Sequence, residues 1–181
     1  FSYGDYLRSG AIARFSPIME KIIDYANNGG YLMGICNGFQ ILCEAQLLPG
    51  ALLSNNNKQF ICKNVFIKPV SQKAAPVKYL DPEKALKIPV AHAEGRYYAD
   101  KKTIKQLYEH DQILFKYCDA AGHITEDSNP NGTIDNIAGI CNRTRNVFGM
   151  MPHPERACDK ELSNTDGKLI MDSLLKTLTK K

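Results

Sequence analysis

No apolar run in this 181-residue chain approaches the length of a membrane-spanning helix, and no cluster of basic residues is present to track a phosphate backbone. A membrane span and nucleic-acid binding are not expected. The net charge of +4 reflects 23 basic against 19 acidic residues dispersed along the sequence, an ordinary solvated surface. The six cysteines, at positions 36, 43, 62, 118, 141 and 158, show no C-x-x-C spacing and no paired cysteine-histidine pattern, so no structural metal is expected. There is no P-loop, and ATP is not expected to bind this chain. Signal-peptide, repeat and low-complexity patterns are also missing. With Cys118 and Cys141 inside apolar runs, as reduced core thiols would be, the expected compartment is the cytoplasm. Hydrophobic residues at 44% and charged residues at 23% suit a globular protein, and the length suits one α/β domain over residues 1–181.

What the chain does have is concentrated in Tyr31 to Gln40, YLMGICNGFQ. It reads as a buried strand, Tyr31 to Ile35, that turns sharply at Gly34-Ile35-Cys36-Asn37-Gly38 into a helix. In a G-x-C-x-G elbow the flanking glycines leave room for a strained turn that presents the central side chain. A thiol at that helix N-terminus sits where unpaired N–H groups favour the thiolate. A packed structural cysteine would give the same string, so a second element is needed. Pro152-His153-Pro154-Glu155 supplies it, following the apolar run Val147 to Met151. If the prolines hold it extended, His153 and Glu155 project to the same side, and a carboxylate beside an imidazole makes a catalytic base. His92 is a further imidazole candidate, with Glu94 two residues on, but a lone histidine at a strand end is more often structural.

GICNGFQ and MMPHPERA resemble the two signature segments of triad-type (class I) glutamine amidotransferases. Phe1 to Arg14, Pro89 to Tyr97 and Asn129 to Ile140 narrow the likeness to glutaminase subunits of de novo purine synthesis, which supply ammonia to a synthetase subunit that converts formylglycinamide ribonucleotide to formylglycinamidine ribonucleotide. The resemblance covers nearly the whole chain. It implies Cys36 as nucleophile, His153 as general acid and base, Glu155 as orienter, and Gln40 as a residue that helps hold the substrate glutamine. It implies no cofactor in this chain, ATP and magnesium on a large synthetase subunit, and a small third subunit as a further partner. Phe1 to Arg14 and the His92 to Tyr97 turn are the expected contacts with such a partner, because both carry aromatic and arginine side chains in loop-like sequence.

The resemblance also implies a three-layer α/β fold, with a mostly parallel central sheet and helices on both faces. Expected elements are a helix from Ser16-Pro17 to Asn27, with Ile18, Ile22, Tyr25 and Ala26 recurring at helical spacing, and a helix from Asn37 to about Gln46. A strand over Phe60 to Val70, an irregular connector from Ser71 to Pro89 and a short strand opening Pro89 to Tyr97 follow. A polar helix, Lys101 to His110, and a strand, Gln112 to Cys118, come next. An antiparallel hairpin, Ile137 to Cys141 with Val147 to Met151, delivers His153, and an amphipathic helix spans Asp166 to Thr179.

The chain opens within a family motif, so the first strands of the fold are expected to precede Phe1. An oxyanion hole needs two aimed donors: one is the N–H of Asn37, and by resemblance the other comes from a glycine turn ahead of Phe1. Three other readings stay open at this point. They are an amidotransferase of another pathway, a cysteine hydrolase unrelated to glutamine, and a docking subunit whose triad is silent.

Overall fold

A computed structural model of the chain describes residues 9–179, with the side chains of 9 and 10 left aside. Helices α1 (Ser9–Ala13) and α2 (Ile18–Asn27) lead into strand β1 (Leu32–Ile35), which passes directly into α3 (Asn37–Glu44). Strands β2 (Ala51–Leu53), β3 (Ile61–Pro69), β4 (Leu86–His92) and β5 (Arg96–Tyr98) come next, then α4 (Lys101–Glu109) and β6 (Ile113–Cys118). The hairpin β7 (Ile137–Cys141) and β8 (Val147–Met150) and a closing helix α5 (Asp166–Leu178) complete the element order, with short 3-10 turns between them.

The main sheet runs β1-β8-β7-β6-β3-β4, and a small antiparallel sheet pairs β2 with β5. The α/β class and the C-terminal hairpin are as expected. The sheet itself is mixed: among the described residues only β1 and β8 pair in parallel, whereas β3–β4, β3–β6, β6–β7 and β7–β8 are antiparallel. Connection chemistry explains the departure from a mostly parallel sheet. Parallel neighbours need a crossover of a dozen or more residues, usually a helix, and the turn between β7 and β8 is far too short.

Alternation along β8 builds two cores. Phe148 and Met150 face a cluster with Val77, Leu80, Ile88 and Ile170 of α5, while Val147 and Met151 face one with Phe39 and Leu42 of α3 and Leu107 of α4. Helices therefore cover both faces of the sheet, which leaves the strand ends as the place for a site. The segment between β3 and β4 lacks regular helix or strand, as expected, yet it buries Ala74, Ala75, Val77 and Leu80. β4 starts at Leu86, ahead of the expected Pro89; that proline is tolerated because β4 is an edge strand.

Helix α2 ends at Asn27 as the sequence suggests, but its buried residues are Met19 and Ala26, with Ile18 and Tyr25 at 60% and 56% exposure. The inward face is thus rotated by about one residue from the Ile18, Ile22 and Tyr25 stripe. Ser16 does not cap the helix through its side chain; its carbonyl accepts from the N–H of Met19 at 2.8 Å. Among the described residues no helix is long and apolar enough to cross a membrane.

Candidate active site

Cys36 stands at the break between β1 and α3 with φ 52° and ψ −111°, a backbone conformation that L-residues rarely hold. Ile35 pairs with Met150, and the Cys36 N–H donates to the Met150 carbonyl at 2.8 Å, so the parallel ladder runs up to the turn itself. The Cys36 carbonyl then accepts from the N–H of Phe39 at 2.9 Å and starts the helix. Gly34 is required for the sharpness of this turn, because a Cβ there would lie 2.6 Å from the carbonyl carbon of Gly38. The thiol is 5% exposed and donates to the carbonyl of Ala91 at 3.6 Å.

His153 follows the parallel partner strand β8. Its ring Nδ1 lies 2.6 Å from Glu155 Oε1, and the histidine is buried. The segment is not extended as the sequence suggested. Pro154 instead opens a single 3-10 turn, Pro154–Ala157, where its fixed φ and missing N–H suit the first position. The two side chains meet all the same, since this turn folds Glu155 back toward the imidazole. A carboxylate accepting from Nδ1–H sets the tautomer in which Nε2 exchanges protons.

Strand β4 ties the two halves together. The His153 N–H donates to the Pro89 carbonyl at 2.8 Å, and the Ala91 carbonyl is the one that receives the Cys36 thiol. Carbonyls two residues apart on a strand leave along the same edge, about 6.6 Å from each other. One strand edge thereby gathers a thiol from the end of β1 and an imidazole segment from the end of β8.

The sequence matches the CobB/CobQ-like glutamine amidotransferase domain over residues 1–171. The chain belongs to this glutamine amidotransferase family. Phosphoribosylformylglycinamidine synthase subunit PurQ of Chlorobium luteolum is 50% identical over 178 residues, covering 98% of this chain and 77% of that protein. The same-named subunit of a Synechocystis species is 56% identical over 167 residues, 92% of this chain and 75% of the relative. Among solved structures, that of PurLQS from Thermotoga maritima superposes with a TM-score of 0.82 at 38% identity, over 98% of this chain and 76% of the matched one.

Other positions singled out from the sequence lie around the same candidate site. Asn37 and Gln40 are both buried on α3, and Gln40 Nε2 donates to the carbonyl of Glu94 at 2.8 Å. His92 is buried at the end of β4, with Nδ1 facing Asn55 Oδ1 at 3.1 Å. Of the Phe1 to Arg14 stretch, residues 1–8 lie outside the described residues, as does any turn ahead of them. Arg14 reaches α3, donating to the Glu44 carbonyl at 3.4 Å. Among the described residues no group of three or more metal-ligating side chains converges. A cleft of about 570 Å³ between α3 and α4 is lined by Gln40 and Cys43 but not by Cys36 or His153.

The sequence did not single out Asn55. The residue is fully buried, and its side chain is hydrogen-bonded to three other residues. A run of three asparagines between strands signals a turn far more readily than a buried brace, so only the Asn-rich string itself could have hinted at it.

Proposed function

We propose that this chain is the glutaminase subunit of a phosphoribosylformylglycinamidine synthase, working as one amidotransferase domain over residues 1–181 in the cytoplasm. The observation that carries the chemistry is the 2.6 Å pair between His153 and Glu155, held by β4 beside the strained Cys36 turn. The PurQ relatives support the choice of pathway.

In this reading the Cys36 thiolate attacks the carboxamide carbon of glutamine, forming a C–S bond and a tetrahedral oxyanion. The Asn37 N–H, first in the helix after the nucleophile, is one donor to that oxygen. His153 accepts the thiol proton and gives it to the departing nitrogen, so ammonia leaves and a γ-glutamyl thioester remains. Water then attacks the thioester, deprotonated by the same imidazole, and glutamate is released with the thiol restored. Glu155 keeps the ring in the productive tautomer throughout. Gln40 lines the glutamine subsite. Ammonia passes to a large synthetase subunit that carries ATP and magnesium, and a small third subunit joins the complex.

The deciding experiment replaces Cys36 by Ala in the reconstituted complex. Glutamine-dependent synthesis should vanish while ammonia-dependent synthesis persists. Retention of both would make the triad silent, and a complex that never accepts formylglycinamide ribonucleotide would point to another pathway.

A further inference from the structure

Asn55 sits in the short connection between β2 and β3, yet no part of it reaches solvent. Its Nδ2 donates to the carbonyl of His92 at 2.9 Å and to that of Gln59 at 2.8 Å. Its Oδ1 accepts from the Gly95 N–H at 3.1 Å and faces His92 Nδ1 at the same 3.1 Å. The backbone N–H of Asn55 donates to the Ala93 carbonyl at 2.8 Å. One residue thus holds two carbonyls, one N–H and one ring nitrogen of the turn from His92 to Gly95.

The orientation of the amide is not arbitrary. Two carbonyls need its NH2 end and the Gly95 N–H needs its oxygen, so His92 Nδ1 must carry a proton to face that oxygen. The ring is further fixed by Gly95, where an added Cβ would fall 2.3 Å from His92 atoms. Such a buried network resists displacement, because moving Asn55 leaves the polar groups it holds unpaired.

This turn is attached to the reaction centre at both ends. Immediately before it, the Ala91 carbonyl receives the Cys36 thiol at 3.6 Å; within it, the Glu94 carbonyl receives Gln40 Nε2 at 2.8 Å. We propose that Asn55 is a positioning residue for the glutamine site, acting through the His92–Gly95 turn to hold the Ala91 and Glu94 carbonyls against Cys36 and Gln40. The inference rests on the function proposed above. Asn55 touches no reacting atom; its effect reaches the thiol and the subsite glutamine through backbone placement.

The test uses the reconstituted synthetase complex with glutamine or ammonia as nitrogen donor. Asn55→Ala and the isosteric Asn55→Asp, which cannot donate to the two carbonyls, should each lower glutamine-dependent kcat/KM by about 100-fold, the cost of roughly an ångström of misplacement. Ammonia-dependent synthesis should stay near wild type. Combining Asn55→Asp with Gln40→Ala should cost less than the product of the separate losses, because both break the same link. Asn136→Ala, which removes a similarly buried amide that donates to the Tyr117 and Thr125 carbonyls, serves as the control and should leave the glutamine reaction within about threefold. Gly95→Ala, which drives a methyl group into the His92 ring, attacks the same turn independently and should repeat the glutamine-specific loss.

Glutamine kinetics within threefold of wild type in both Asn55 variants would overturn the proposal. So would a parallel loss of ammonia-dependent synthesis, or failure of all three turn variants to fold, since the turn would then serve the fold and not the site. Absence of glutamine-dependent synthesis in the wild-type complex would count against the proposed function itself.

Discussion

His153 Nδ1 and Glu155 Oε1 lie 2.6 Å apart across a single 3-10 turn, a separation that marks a charge-assisted hydrogen bond. The pair is asymmetric in its surroundings, with the histidine side chain 3% exposed and the Glu155 side chain 31% exposed, although Glu155 Oε2 is itself buried.

Glu155→Gln tests this relationship with almost no change in shape. An amide can present its NH2 end to the ring and favour the wrong tautomer, which in hydroxyl triads costs on the order of 10⁴-fold in kcat. A loss of about 10²–10⁴-fold is expected here. Glutamine turnover should fall with little change in thermal midpoint. A variant with wild-type kcat would remove Glu155 from the mechanism.

Asn146 should matter to stability more than its place in a hairpin turn suggests. Its Nδ2 donates to the carbonyls of Ala26 and Gly30 at 2.7 and 2.8 Å, and its Oδ1 accepts from Asn142 and Thr144. These bonds fasten the end of α2 to the β7–β8 hairpin. Asn146→Ala strips the Gly30 carbonyl of its side-chain donor and leaves the Ala26 carbonyl to the Gly29 N–H, and a loss of about 1–3 kcal/mol in unfolding free energy is expected from denaturant titration. A change below about 0.5 kcal/mol would mean that water replaces the side chain.

The candidate site was legible in the sequence where the relevant physics is local. Gly34, Cys36 and Gly38 encode a turn within five residues, and His153 and Glu155 are close in the chain whatever the backbone between them does. The expected extended backbone at Pro154 was wrong for a plain reason: proline suits the first position of a helical turn as well as an extended segment. Contacts that bridge distant segments were not legible. Asn55 and His92 are 37 positions apart, and no periodicity links them. The buried side of α2 was not legible either, because spacing reports a stripe while packing decides which side of it is covered.

Burial keeps two core thiols neutral well above their ordinary range. Cys118 is pushed up to about 11 and Cys141 to about 12, from an ordinary 9.0, with desolvation as the first cause in each. Between these limits the unfolded chain loses the proton that the folded chain retains. Stability is therefore full below about pH 9 and falls as pH rises toward 11 and 12. Unfolding titrations from pH 8 upward should show this decline, and Cys141→Ala should flatten it. At pH 8, alkylation by iodoacetamide should reach exposed Cys62 while sparing Cys118 and Cys141. Rapid labelling of either core thiol in folded protein would contradict their packing.

The strained turn at Cys36 makes a sharper prediction, because two substitutions that abolish the same chemistry should diverge in stability. At φ 52° and ψ −111° any residue with a Cβ is held in a sparsely populated region, at a cost of order 1–3 kcal/mol. Cys36→Ala removes the sulfur and keeps that strain. Cys36→Gly removes both, and gives back only about 0.5–1 kcal/mol through the greater freedom of glycine in the unfolded chain. The glycine variant should therefore be the more stable of the two by about 1–2 kcal/mol, with neither hydrolysing glutamine. If alanine proves equal or better, the turn is relaxed in solution. The thiol would then owe its position to the side chains around it and not to a backbone strained by the β1–α3 junction.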